Sequence, residues 1–246
     1  MKKIIVFIAF FLLAIANVFA QQACDPEQNL VLNGGFESPV VSNPPKNWNI
    51  YPNATPSLAW TVEWKSTQTS YLGNTRPEIP QLEFQAGFSG WLSAEGSQYA
   101  ELDTDWDGPI DTFSGEPANV RIYQDLATIP GQSYEVKFKT SPRPLTAITT
   151  NMLKFSWNGA MQDTISTSGI GLSNTNWSQH TYQLTATSST TRLKFVEQAT
   201  PDSFGTFLDD VSVRCVPINE IPEFTTIGAG IALVGAGGYA LYRKRK

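Results

Sequence analysis

The chain has 246 residues, 41% apolar and 12% aromatic with only 16% charged, enough core-forming side chains to exclude a disordered chain. Residues 21–221 keep 11 of the 17 cations and 21 of the 22 acidic residues, a net charge of about −10, so nucleic acid would be repelled and a nucleic-acid-binding function is excluded. Frequent Gly and Pro among abundant Ser and Thr favour strands joined by turns over long helices, so the expected class is all-β.

In chain order, MKKIIVFIAFFLLAIANVFA opens with Lys2 and Lys3, continues through an apolar stretch from Ile4 to Ala16 and ends in small residues at Ala20. That order is an export signal over residues 1–20, cut after Ala20. The next landmark is Cys24, whose only possible partner in the chain is Cys215. Outside the membrane such a pair is most simply one disulfide, which requires the first and last strands to lie side by side.

Between Asn29 and Arg214 the sequence predicts short strands at 29–33, 57–64, 81–84, 98–103, 120–126, 133–140, 152–159, 161–167, 177–187, 191–198 and 206–215. Tyr134, Val136 and Phe138 alternate with Glu135, Lys137 and Lys139, the signature of a half-buried antiparallel strand. Pro130-Gly131 and Asn158-Gly159 mark turns, the second joining a hairpin. Segments 38–56 and 65–80, rich in Pro, Asn, Ser and Thr, read as loops. No linker precedes residue 217, so one two-sheet antiparallel β-sandwich over 21–217 is expected.

Within that domain ELDTDWDG (101–108) places Asp103, Asp105 and Asp107 at alternate positions before Gly108. D-x-D-x-D-G matches the first half of a calcium loop, and Ile110 falls at its apolar anchor, but position twelve is Ser114 and no helices flank it, which excludes an EF-hand. A calcium loop projecting from a strand end, completed by Asp111 or Glu116, and an ordinary solvated acidic loop both stay open.

Catalytic signatures are lacking. There is one His, His180 in a strand, and neither G-x-S-x-G nor H-E-x-x-H. Glu83, Glu101, Asp103 and Glu197 could be nominated for glycosidase chemistry, but nothing in the sequence pairs them, so no enzyme is expected. Sugar binding is the better expectation, because aromatic faces stack on pyranose rings while a few polar groups take the hydroxyls. Trp60, Trp64, Trp157 and Trp177 lie in strands and are assigned to the core. Trp91 and Trp106 fall near glycine-bearing loops and are expected to be exposed, with Arg143 of SPRP as a polar partner. The sequons at Asn53 and Asn176 fit surface exposure.

At the far end about 18 uncharged residues, Thr225 to Tyr242, precede four cations (243–246). As a helix this spans about 27 Å, enough for a bilayer core, with the basic tail in the cytoplasm and the domain outside. Pro222-Glu223-Phe224 within a 218–224 linker, then helix, then basic tail, resembles the PEP-CTERM and PEF-CTERM sorting signals cut by exosortase or archaeosortase enzymes. Cut or intact, this segment implies attachment at a cell surface, membrane-anchored or released by processing.

NLVLNGGFE (29–37), QYAELD, VRIYQDLATIPGQSYEVKF, TRLKF and GTFLDDVSV (205–213) together resemble the galactose-binding-like jelly rolls of carbohydrate-binding modules. The resemblance implies a jelly-roll sandwich, an extracellular polysaccharide or glycoconjugate as partner, and a structural Ca²⁺ held where the two ends of the domain meet by Glu37 and Asp210 with main-chain oxygens near Gly35. Loop-edge carboxylates satisfied by backbone N–H groups are the alternative for these acids. The functional expectation is non-catalytic glycan binding, and the alternative is a structural or adhesive surface protein.

Overall fold

The computed structural model describes residues 24–109 and 117–217. The expected signal (1–20), sorting motif Pro222-Glu223-Phe224, membrane helix and basic tail lie outside the described residues, as do Ile110, Asp111, Ser114 and Glu116. Among the described residues no helix is long and apolar enough to cross a membrane.

The strands are β1 (Trp48–Pro52), β2 (Thr61–Trp64), β3 (Ser70–Tyr71), β4 (Asn74–Thr75), β5 (Gln81–Gln85), β6 (Tyr99–Glu101), β7 (Asp103–Asp105), β8 (Pro117–Ala127), β9 (Ser133–Ser141), β10 (Met152–Trp157), β11 (Ala160–Ser166), β12 (Ser178–Thr185), β13 (Thr190–Glu197) and β14 (Phe207–Cys215). The first sheet runs β1-β5-β6-β14-β9-β12 and the second β11-β10-β13-β8-β2, with β7 also on β8 and a small β3-β4 hairpin apart. All pairings are antiparallel, as the alternating sequence requires.

The inward faces of the two sheets close a core built around Phe36, Phe84, Phe138, Phe155, Phe195, Leu153 and Val213, all buried. Phe138 meets Phe155 and Phe195 edge-on at centroid distances of 5.1 and 4.9 Å, so the layers interlock through aromatic rings. Trp60 and Trp157 lie in this core as expected, each donating its indole N–H to a backbone carbonyl, of Asn33 and Thr185 respectively. The β10–β11 turn has Asn158 at φ 49° and Gly159 at φ 82°, two left-handed residues whose twist suits the hairpin.

Cys24 and Cys215 are bonded, with Cα atoms 5.8 Å apart. The two ends of the domain also meet through the backbone, since Leu30 donates to the Val213 carbonyl and Val211 to that of Gly34, both at 2.9 Å. Gly34 is required there, because a Cβ would fall 2.0 Å from the Val211 oxygen. This contact is made across a register shift in β14 between Asp209 and Ser212.

Three expectations about elements need correction. Residues 29–33 form no strand; the segment is anchored to β14 through the Asn29 side chain, which accepts from Val213 at 2.9 Å, and by the Leu30 bond. Segment 38–56 contains β1, a five-residue edge strand hidden among Pro and Asn, and 65–80 contains the β3-β4 hairpin. The acidic DTD is not a loop but β7, paired with β8 in the register Asp103↔Asn119.

Candidate functional site

The outer side of the first sheet, facing away from the core, should be the wet side, yet its centre is buried. Leu82, Phe84, Ala100 and Leu208 point into the core, so Glu83, Gln85, Tyr99, Glu101, Phe207 and Asp209 point out. Each of the six is 4% exposed or less. Loop residues roof them: Trp91 joins Tyr99 and Phe207 in a second apolar cluster, with Phe88 and Trp177 packed against it.

Polar groups beneath this roof are closely paired. Glu83 and Glu101 lie opposite each other in the β5–β6 register. Glu101 accepts from Arg143 Nη1 at 2.5 Å, from the Gly205 N–H at 2.7 Å and from Gln85 Nε2. Glu83 accepts from Gln85 Nε2 at 2.9 Å and from the Asp105 N–H at 3.2 Å, and Gln85 in turn accepts from the Tyr99 hydroxyl at 3.0 Å. The Arg143 guanidinium sits among four rings, with its carbon 4.7 Å from the centroid of Phe204, 5.2 Å from Trp91, 5.5 Å from Phe88 and 5.9 Å from Phe207. Among the described residues, Nη1–Glu101 is the guanidinium's one hydrogen bond.

Burial, reinforced by the neighbouring Glu101 charge, pushes the Glu83 carboxyl well above the usual carboxylate range. Burial also raises Glu101, against the pull of Arg143, whereas Arg143 is raised by the two glutamates despite its own burial. Glu101 and Arg143 thus form an ion pair beside the Glu83 carboxyl. Two further buried acids secure the rim: Asp209 accepts from the Ala94 and Glu95 N–H groups at 2.8 and 3.0 Å, and Glu197 from Thr206 and Ala199 at 3.0 and 3.1 Å. Burial pushes both up to about 7.

These raised values fix the sign of the pH dependence. Below about pH 4 each group is protonated folded or unfolded; as pH rises the unfolded carboxylates ionise first, so stability falls until about pH 7 and then levels. For Glu197, raised from 4.5 to about 7, the loss is on the order of 3 kcal/mol. Urea unfolding between pH 5 and 8 is expected to show decreasing stability, with the slope flattened in Glu197→Gln; a stability that rises over that window would refute the assignment.

The expected site residues have divided. Trp91 and Arg143 come together, but Trp91 is 8% exposed and Arg143 9%, so the expectation of open loop residues is corrected: the loops fold back on the sheet. Trp106 is 4% exposed with its indole N–H unpaired, and it belongs to no ring cluster among the described residues. Trp177, assigned to the core, instead sits at the roof edge, 5.6 Å from Tyr99. His180 lies on the strand face against Phe138, as expected.

Of the acids expected to bind calcium, Glu37, Asp210 and Asp103 have protein partners among the described residues. Glu37 is spent on Ser97 and Gln98, accepting both N–H groups and the Ser97 hydroxyl at 2.7–2.9 Å. Asp210, in a left-handed conformation in the strand irregularity, pairs with Lys139 Nζ at 2.9 Å. Asp103 is fully buried and accepts from the Asp202 and Ser203 N–H groups at 2.7 and 3.0 Å, while Asp105 continues β7 and Asp107 lies in the turn beyond. Among the described residues no group of three or more His, Cys, Asp or Glu is arranged to hold a metal.

Gln85 and Asp209 were not legible as site residues, and Glu83 and Glu197 were nominated with nothing in the sequence to pair them. Their alternation with apolar residues was visible, but an outward acid in a strand usually meets water. Only the roof distinguishes them.

No known protein family matches the sequence, and no curated protein matches it either. Among solved structures, TmCBM61 in complex with β-1,4-galactotriose is 17% identical, with 77% of this chain and 99% of that one covered and a TM-score of 0.38. A CBM4 structure is 13% identical over 76% and 99%, TM-score 0.41, and a family 35 carbohydrate binding module from Clostridium thermocellum is 12% identical over 68% and 90%, TM-score 0.31. At these values the likeness assigns no ligand to this chain.

Proposed function

We propose that the domain is a non-catalytic glycan-binding module of the cell surface that takes its ligand on the roofed outer side of the first sheet. The observation that carries this reading is the Arg143 guanidinium set among Phe88, Trp91, Phe204 and Phe207 with donors unspent, beside rings that reach the surface. Phe204 is 42% exposed, and Phe88 and Trp177 are half-buried, so ring faces and N–H donors are available together at one place, the combination a pyranose requires.

Binding without turnover is favoured because the paired carboxyls lie beneath the roof. A glycosidase needs two carboxyl groups flanking the scissile bond, whereas Glu101 is wholly buried and committed to Arg143, Gln85 and Gly205. The disulfide supports an oxidising location outside the cell. The 218–224 linker and 225–242 helix would tether the domain by the end that carries the disulfide. Strand β14 runs from the site at Phe207 to Cys215, so the roof and the disulfide lie at opposite ends of that strand.

Retention on a panel of immobilised polysaccharides tests the reading. Phe204→Ala and Phe88→Ala are expected to weaken retention at least tenfold with little change in melting temperature, while Tyr123→Ala on the opposite sheet leaves it unchanged. No retention on any polysaccharide would transfer support to a structural or adhesive role, and retention indifferent to both phenylalanines would move the site elsewhere.

A further inference from the structure

A sandwich has open sheet edges, and three of the four here are guarded. β1 ends in Pro52, and its Trp48 carbonyl accepts from Asn43 Nδ2 at 2.6 Å. β2 is four residues long and carries Glu63, bridged to Arg121 at 3.0 Å. β11 carries Asp163 and meets β10 through a register shift between Phe155 and Ser156. Charge, proline, bulges and shortness are the devices that keep an edge from recruiting another strand.

β12 has none of them. It runs eight residues in unbroken register with β9, from Ser178↔Thr140 to Thr185↔Ser133. Gln179, Thr181, Gln183 and Thr185 stand exposed on its outer face, and it pairs with no strand but β9 among the described residues. Residues 164–191 contain no Asp, Glu, Lys or Arg. His180 is half-buried and 2.8 Å from the Thr140 hydroxyl, and burial lowers its pKa against the opposing pull of Asp163.

We propose that β12 pairs antiparallel with β12 of a second copy of this chain, joining two six-stranded sheets into one. Charge selects this occupant. Two copies of a domain near −10 repel wherever their acids approach, whereas β12 itself carries no acid, its flanking Asp163 is engaged by the Tyr182 hydroxyl at 2.6 Å, and the residues beside Gln179 and Thr181 on β9 are Lys139 and Lys137. An antiparallel strand pair is two-fold symmetric, so the edge is its own complement. The joined sheets present both outer faces on the same side, and the antiparallel arrangement places the two Cys24–Cys215 ends at opposite ends of the assembly, so the pair forms between domains on facing surfaces or between released domains, not between neighbours tethered to one membrane. An interface of one strand edge is small, so the dimer is weak, with affinity in roughly the micromolar range or above.

Sedimentation equilibrium from about 1 to about 500 µM tests this, with self-association expected to appear across the range. Outer-face residues must oppose outer-face residues, so Thr181 meets a copy of itself or of a neighbour two positions away, Gln179 or Gln183. Thr181→Lys with Gln183→Lys, and separately Thr181→Glu with Gln183→Glu, are each expected to weaken association about tenfold or more without lowering the melting temperature. Mixing the two variants should restore a heterodimer. A monomer throughout the range, or a dimer indifferent to both double substitutions, would overturn the proposal.

Discussion

Arg143→Ala is expected to lower stability by about 3–5 kcal/mol, the usual cost of removing one partner from a buried ion pair. Glu101 is wholly buried and would keep the Gly205 N–H and the Gln85 amide but lose its only neutralising charge among the described residues. The four rings around the guanidinium would lose their common centre in the same step. Urea unfolding at pH 7.5 reads the loss. Because Glu101 can take up a proton once its partner is gone, the defect should shrink toward pH 5, and Glu101→Gln in the Arg143→Ala background should recover part of it. Arg143→Lys should recover less than its charge suggests, since an ammonium cannot stack flat among rings. A loss below about 1 kcal/mol would mean that Glu101 is solvated, which contradicts the roof.

Replacing both cysteines is the second large effect. The Cys24–Cys215 bond closes a span of 191 residues, for which loop-closure entropy sets a ceiling on the order of 5 kcal/mol. For a domain of this size that ceiling corresponds to a fall in melting temperature of roughly 10 °C or more. Cys24→Ala with Cys215→Ala, followed by thermal unfolding, measures it. The realised loss depends on how well residues 29–37 stay docked through the Leu30, Asn29 and Val211 bonds to β14, which remain in the variant. A loss below about 1 kcal/mol would show that those contacts alone keep the ends together.

Much of the fold was legible because its physical causes are local. Alternation in 133–140 exposed the half-buried β9, Asn158-Gly159 gave the hairpin through its left-handed φ values, and a lone pair of cysteines gave the closure of the ends. β1 was missed because Trp48 and Ile50 are half-buried like the neighbouring loop, leaving Tyr51 as its one buried residue. The acidic triplet read as a loop because alternate aspartates suit a loop and a strand equally; pairing with β8 makes Asp103–Asp105 a strand.

The sequence by itself determined which side chains share a face of each strand, where the chain turns, and that its ends are bonded, since each of these depends on residues close in sequence or on the only two cysteines. It could not determine that the side of the first sheet turned away from the core would be covered. That cover is made by Phe88 and Trp91, Arg143, Trp177 and Phe204, four loops separated by dozens of residues and brought together only when β5, β6, β9 and β14 align. Tertiary structure therefore made a buried ion pair of Glu101 and Arg143 and half-open rings of Phe88 and Phe204, because burial belongs to the surroundings of a side chain and not to its type.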